Sequence, residues 1–282
     1  MANCYAHLGI FKDAGTLGLT VSTHDAQILR VAEQSSRMID QYCDRFFYVY
    51  EGTLYEEGAS NKLFLRYDVQ TVSTMTVDAD GDSSYESTYT LDLQGVTTAP
   101  DVICYPLNSL PKTRFEINPG GDYGSFGAGV PKAVCMVGTF GHGNDWPEDN
   151  YTAVGTVVAS AFGSTDTTLT ASTPTLLYAG MTLRLGSEQA YVSYTSSTAA
   201  TVKRAVNGTS AAAAAVSTAI YVYEYPEPIV QACVIQTVRN WKRRESGFVN
   251  TIVNLDMGTA QVYKGLDPDV KEIINKYRKA RL

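Results

Sequence analysis

The chain is poor in the residues that most often carry chemistry: its 282 residues include three histidines, five cysteines and two tryptophans. His7, His24 and His142 stand in no metal-ligand or hydrolase spacing. His142, between Gly141 and Gly143, reads as an exposed loop histidine without a task. Cys4, Cys43, Cys104, Cys135 and Cys233 are scattered singly, with no C-x-x-C pair, which excludes short-spaced metal sites and fits a reducing compartment. Cys104 and Cys135 lie in apolar runs, where a free thiol behaves as a small core residue. No apolar run approaches the ~20 residues that span a bilayer, so no membrane partner is expected. The N-terminus lacks a basic stretch followed by an apolar one, so no signal peptide is expected either.

Two stretches imitate functional loops and fail. The glycines from Gly120 to Gly129 suggest a phosphate loop, yet Lys132 stands where G-x-G-x-x-G needs its third glycine, and no G-K-[ST] follows. Asp78, Asp80, Gly81 and Asp82 have the look of a calcium loop but lack the Gly and Glu positions of an EF-hand, so a hairpin turn is expected. No catalytic residue, cofactor or metal site is assigned, and the chain is expected not to be an enzyme.

What is abundant is tyrosine, with 19 copies. Its ring supplies contact area and its hydroxyl tolerates water, which suits either a partner surface or a β-rich core. The net charge of −7 excludes a protein that grips DNA over its whole surface. Residues 239–282 hold 10 of the 22 Lys+Arg and 5 of the 29 Asp+Glu, leaving 12 and 24 for the rest. A tail of +5 thus follows a body of −12, which suits docking onto an acidic neighbour.

The chain divides by periodicity. Residues 1–21 are aperiodic and read as an arm. Ile28, Ala32, Ile39, Tyr42 and Phe46 mark one stripe of a helix from about Thr23 to Phe47, with Ser22 and Thr23 as N-caps. From Tyr48 to about Gly138 the period is two, predicting an antiparallel region of about six strands. Residues 151–225 are half Ala, Ser and Thr, 38 of 75, and read as an inserted small β-domain. Pro228 suits the first turn of a second helix, apolar on nearly every side and therefore buried, ending in Lys242, Arg243 and Arg244. A long Gly-punctuated connection spans 245–265. Asp267 and Pro268 open a third helix of about 15 residues, with Val270, Ile273, Ile274 and Tyr277 as its stripe. The expected fold class is α+β: a small bundle of three main helices, an antiparallel β-region between the first two, and a second inserted β-domain. The expected domains are an arm over 1–21, a core over 22–150 and 226–282, and the insert over 151–225.

The order of these pieces, with Ile28–Glu33, Asp44–Phe46, Tyr105–Asn108, Gly129–Pro131, Arg239–Arg243 and Asp267–Val270 in turn, resembles the head–tail connector (adaptor) family of tailed bacteriophages. The resemblance covers roughly residues 22–140 and 226–282. Within the insert, Gly186–Val192 and Arg204–Thr209 resemble a small β-module found in various phage virion proteins. The resemblance implies a structural virion protein, assembled in the host cytoplasm and placed at the head–tail interface. It implies a homo-oligomeric ring, commonly dodecameric in this family, between the portal protein and a tail-side stopper or tail-completion protein. It also implies that DNA passes non-specifically through the lumen, which an acidic body would permit without grip. The expected partner-binding residues, toward portal or neighbouring subunit, are Val270, Ile273, Ile274, Tyr277, Arg278, Lys279, Arg281 and Leu282. A second reading, a receptor- or carbohydrate-binding virion protein, draws on the Thr-, Ser- and Tyr-rich insert.

Overall fold

The structure is a computed structural model. It describes residues 3–13, 15–18, 22–95, 97–143, 150–244, 251–254, 258–261 and 265–279, the backbone alone over 251–261. The chain forms two compact units, one of Met1–Asp44, Tyr151–Val206 and Ser210–Leu282, the other of Arg45–Asn150 and Asn207–Thr209.

The second of these units is a seven-stranded sheet. Its strands are β1 (Tyr50–Glu56), β2 (Lys62–Val77), β3 (Ser87–Thr88), β4 (Leu91–Asp92), β5 (Val102–Tyr105), β6 (Lys112–Ile117) and β7 (Val134–Phe140). They run in the order β1-β7-β2-β6-β5-β4, with β3 beside β2. Alternation sets the faces: Leu63 and Leu65 are buried while Phe64 between them is 50% exposed. The 16-residue β2 slips register against both neighbours, near Val69 and Val72, as bulges that bend a long strand do. Met75, Val77, Phe115, Val134, Met136 and Phe140 fill the core. On the opposite face Tyr55 and Val137 stand exposed, across from Cys135 and Thr53.

The other unit carries α1 (Leu8–Lys12), α2 (Asp25–Cys43), β8 (Tyr151–Val157), β9 (Thr168–Leu169), β10 (Thr182–Leu185), β11 (Glu188–Thr195), β12 (Ala200–Lys203) and β13 (Ala219–Tyr223). It continues with α3 (Glu227–Arg243), β14 (Thr251–Asn254), β15 (Gly258–Gln261) and α4 (Pro268–Ile274). Six strands run in the order β8-β13-β10-β11-β12-β9. Backbone bonds from Ala159 N to Thr170 O and from Ser172 N to Val157 O tie the outer strands to one another, so the sheet curls on itself and hides its edges. Leu169, Leu183, Val192, Val202 and Ile220 fill its interior. The outside of β11 is buried as well, and there the Tyr191 hydroxyl donates to Glu33 Oε1 of α2 at 2.5 Å.

The expected helical bundle is overturned. Among the described residues the chain is mostly β, with sheets of seven and six strands against four helices, two of them no longer than seven residues. The period-two runs build complete sheets with their own cores, so strands rather than helices are the framework. The first long helix begins at Asp25 behind His24, without a side-chain cap, and stops at Cys43 because Asp44 turns left-handed at φ +55°. The aperiodic segment near the N-terminus is packed: Tyr5 N donates to Ser36 Oγ at 3.0 Å and the Tyr5 hydroxyl to the Asp40 carboxylate. α3 buries Ile229, Ala232, Cys233 and Trp241, while Val230, Val234, Ile235 and Val238 are only half-buried, so one side is covered instead of all. β14 and β15 pair within the expected long connection. Among the described residues no helix is long and apolar enough to cross a membrane.

Candidate partner-binding surface

α4 is fastened at its start. The Asp267 carboxylate accepts from Asp269 N at 3.0 Å and pairs with Arg239, and Asp267 N donates to Gln236 Oε1 at 2.9 Å, so α3 holds the cap from two positions. Val270 and Ile274 are fully buried. At about 1.5–3 kcal/mol per side chain, those two contribute about 3–6 kcal/mol toward docking the helix on its own unit. A helix of seven residues does not stand alone in water, so this burial is what makes it a helix.

The far end is built differently. A 3-10 turn over Asn275–Tyr277 replaces the expected further helical turns, and the backbone then extends at Arg278. Lys279 N donates to Cys43 O at 2.8 Å, which holds this end against the end of α2. Arg278 is exposed and its guanidinium lies 5.6 Å from the Tyr42 ring, a weak cation–π contact. Lys276 is exposed too, 5.0 Å over the Tyr277 ring.

The eight expected partner residues therefore separate. Val270 and Ile274 face their own unit; Ile273, Tyr277 and Lys279 are half-buried; Arg278 is exposed; Arg281 and Leu282 lie outside the described residues. Lys276 and Tyr42 join the surface without having been picked from sequence. Lys276 reads as one more charge on a wet face, and Tyr42 as one more member of an apolar stripe. Only the return of the chain to α2 brings Tyr42 beside Arg278.

The loops that imitate chemistry resolve into structure. Ligand oxygens of Asp78, Asp80, Asp82 and Glu86 lie within 4.8 Å of one another. Asp78 accepts from Gly81 N at 2.7 Å and Ser83 N at 2.9 Å, and Asp82 from Ser84 N at 2.7 Å, so these carboxylates shape the turn between β2 and β3. Gly127, at φ +67°, takes a left-handed backbone where a Cβ would meet Asp78 O at 2.7 Å. His142 is not an exposed loop residue. Its ring stands edge-on to Phe47 at 5.4 Å, and burial lowers its pKa to about 4.

No family model matches the chain, and neither does a curated protein or a solved structure, so the resemblance to head–tail connectors rests on its ordered sequence segments.

Proposed function

We propose that the chain is one subunit of an oligomeric ring joining the portal vertex of a bacteriophage head to its tail. DNA passes through the lumen without specific contacts. The observation that carries this reading is the end of α4. A short helix is anchored through Val270 and Ile274, and it presents Lys276 and Arg278 beside the half-buried Ile273 and Tyr277. A cationic rim around apolar area is the composition of a contact with an acidic neighbour, steered by charge and held by burial.

The partners are the portal protein on one side, a tail-side stopper or tail-completion protein on the other, and further copies of the chain, twelve if the ring follows the family it resembles. The exposed Tyr55 and Val137 on the seven-stranded sheet offer a second surface of the kind that packs between subunits. Assembly takes place in the host cytoplasm, and the subunit leaves inside the virion.

Co-expression with the portal protein of the same genome, followed by negative-stain imaging, tests this. An added ring under the portal is the expected result. Persistent failure of the two to associate overturns it.

A further inference from the structure

A cavity of about 290 Å³ opens in the unit that holds the helices and the six-stranded sheet. The rings of Tyr5, His7, Tyr223 and Tyr225 line it. Tyr5 and Tyr225 lie 4.7 Å apart at 58°, and Tyr223 and Tyr225 4.9 Å apart at 64°, so the tyrosines form a tilted cluster and not a flat stack. Glu224 and Glu227, both exposed, are its charged lining residues; no lysine or arginine lines it among the described residues.

The balance of these features favours a positive guest. A ring face carries negative potential and attracts ammonium or guanidinium within about 6 Å. One ring already has such a neighbour, since the Arg37 guanidinium lies 5.4 Å from the Tyr5 ring, which leaves Tyr223 and Tyr225 as the rings open to a guest. Burial lowers the His7 pKa to about 4, so near neutral pH the imidazole repels no cation. Its Nδ1 is buried and has no hydrogen-bond partner among the described residues, and a neutral imidazole has one nitrogen able to accept. The N-terminus of α3 adjoins the cavity and carries about half a positive charge. The two carboxylates of Glu224 and Glu227 exceed this half charge and the one of Arg37 beside the Tyr5 ring taken together.

We propose that this cavity is a cation-binding pocket for a primary ammonium or guanidinium group on a short alkyl chain. The group comes either from a lysine or arginine side chain presented by another protein chain or from a free polyamine. The volume lies just below the about 300 Å³ at which pockets for drug-sized ligands begin, which suits one extended side chain or one arm of a polyamine. The proposal does not depend on the chain being a ring subunit.

The test is a titration of the full chain, with tyrosine rings labelled for NMR, by four probes. These are Nα-acetyl-lysine amide, Nα-acetyl-arginine amide, spermidine, and the uncharged isostere Nα-acetyl-norleucine amide. Saturable shifts of the Tyr223 and Tyr225 ring signals are expected with the cationic probes, at least about tenfold weaker with norleucine. The Glu224→Gln/Glu227→Gln variant, altered only at exposed positions, should bind the cations about tenfold more weakly while keeping the ring spectrum of the folded protein. Tighter binding of spermidine than of either capped amino acid assigns a free polyamine; the reverse assigns a presented side chain. Equal binding of norleucine, no saturable shift with any cation, or unchanged affinity in the doubly neutralised variant overturns the proposal.

Discussion

Arg204 grips Glu188 with both arms of its guanidinium, Nε to Oε1 at 2.6 Å and Nη2 to Oε2 at 2.5 Å. Glu188 is fully buried, and the same carboxylate accepts from Ala205 N and Ala212 N at 3.0 Å each. Arg204 spends its remaining donors on Gly163 O, Asp166 O and Ala212 O, at 2.7–2.8 Å, and lies over the Phe162 ring. Burial alone would lift the Glu188 pKa, but Arg204 and the two backbone N–H groups outweigh it and hold it below the ordinary value. One pair therefore ties the β8–β9 and β12–β13 loops to the start of β11.

Replacing Arg204 by Met strands a buried carboxylate and three carbonyls. Such a break costs about 3–5 kcal/mol. Urea unfolding of Arg204→Met should show a loss in that range. Arg204→Lys keeps the charge without the fork, so it should lose less than Met but well over the scatter of surface substitutions. A loss below about 1 kcal/mol for Arg204→Met would show that the pair is not what holds the loops.

This staple was invisible in the sequence, where Glu188 and Arg204 were two of only six charges in a 75-residue stretch. What could be read were local periods: Ile28, Ala32 and Ile39 are fully buried on one stripe, and Leu63 and Leu65 on one strand face. What could not be read were long-range pairings. Tyr5 sits in an aperiodic run and gives no signal until Ser36 and Asp40 are found beside it. The length of α4 failed for a related reason. Its stripe continues to Tyr277, but Lys279 bonds to Cys43 O and draws the chain out of the helix. The helices read as a framework because their pattern is the stronger one, though each strand pattern counts once per strand and there are many strands.

Acid should act on the seven-stranded unit through His142. The imidazole is neutral when folded, with its pKa lowered to about 4 by burial, the Asp68 carboxylate opposing the shift and Arg45 adding to it. Arg45 Nη1 stands 3.4 Å from both His142 Nδ1 and Asp68 Oδ2. An unfolded histidine titrates near about 6.5. The stability from keeping this ring neutral is thus complete above about pH 6.5 and lost as pH falls toward about 4, by up to about 3 kcal/mol. Asp40, in the other unit, carries the opposite sign. Burial raises its pKa to about 6 against the pull of Arg37 and the Tyr5 hydroxyl, so its contribution is complete below about pH 4 and lost as pH rises through 6. Denaturant unfolding at pH 4, 5, 6 and 7 should show a shallower acid loss in His142→Gln and a shallower loss on the rising side in Asp40→Asn. Profiles parallel to the parent in both variants would remove this account.

If the proposed partner contact lies at the end of α4, folding and contact should separate there, because its buried and exposed residues differ in kind. Ile274 is fully buried, and Ile274→Ala should cost about 2–5 kcal/mol of stability through the lost methyl groups and the cavity they leave. Arg278 is exposed and Lys279 half-buried, so Arg278→Glu with Lys279→Glu should change stability by no more than about 1 kcal/mol. Attachment to the portal should respond in the reverse order. The double reversal would place like charge against the proposed acidic neighbour and should weaken binding at physiological salt, with the deficit shrinking as salt screens the repulsion. Thermal unfolding and a portal pull-down over a salt series read the two effects independently. If the reversed protein attaches normally at physiological salt, charge at this end does not direct the contact. If Ile274→Ala abolishes attachment while leaving stability untouched, the buried face must open onto the partner, and the division between anchor and surface is lost.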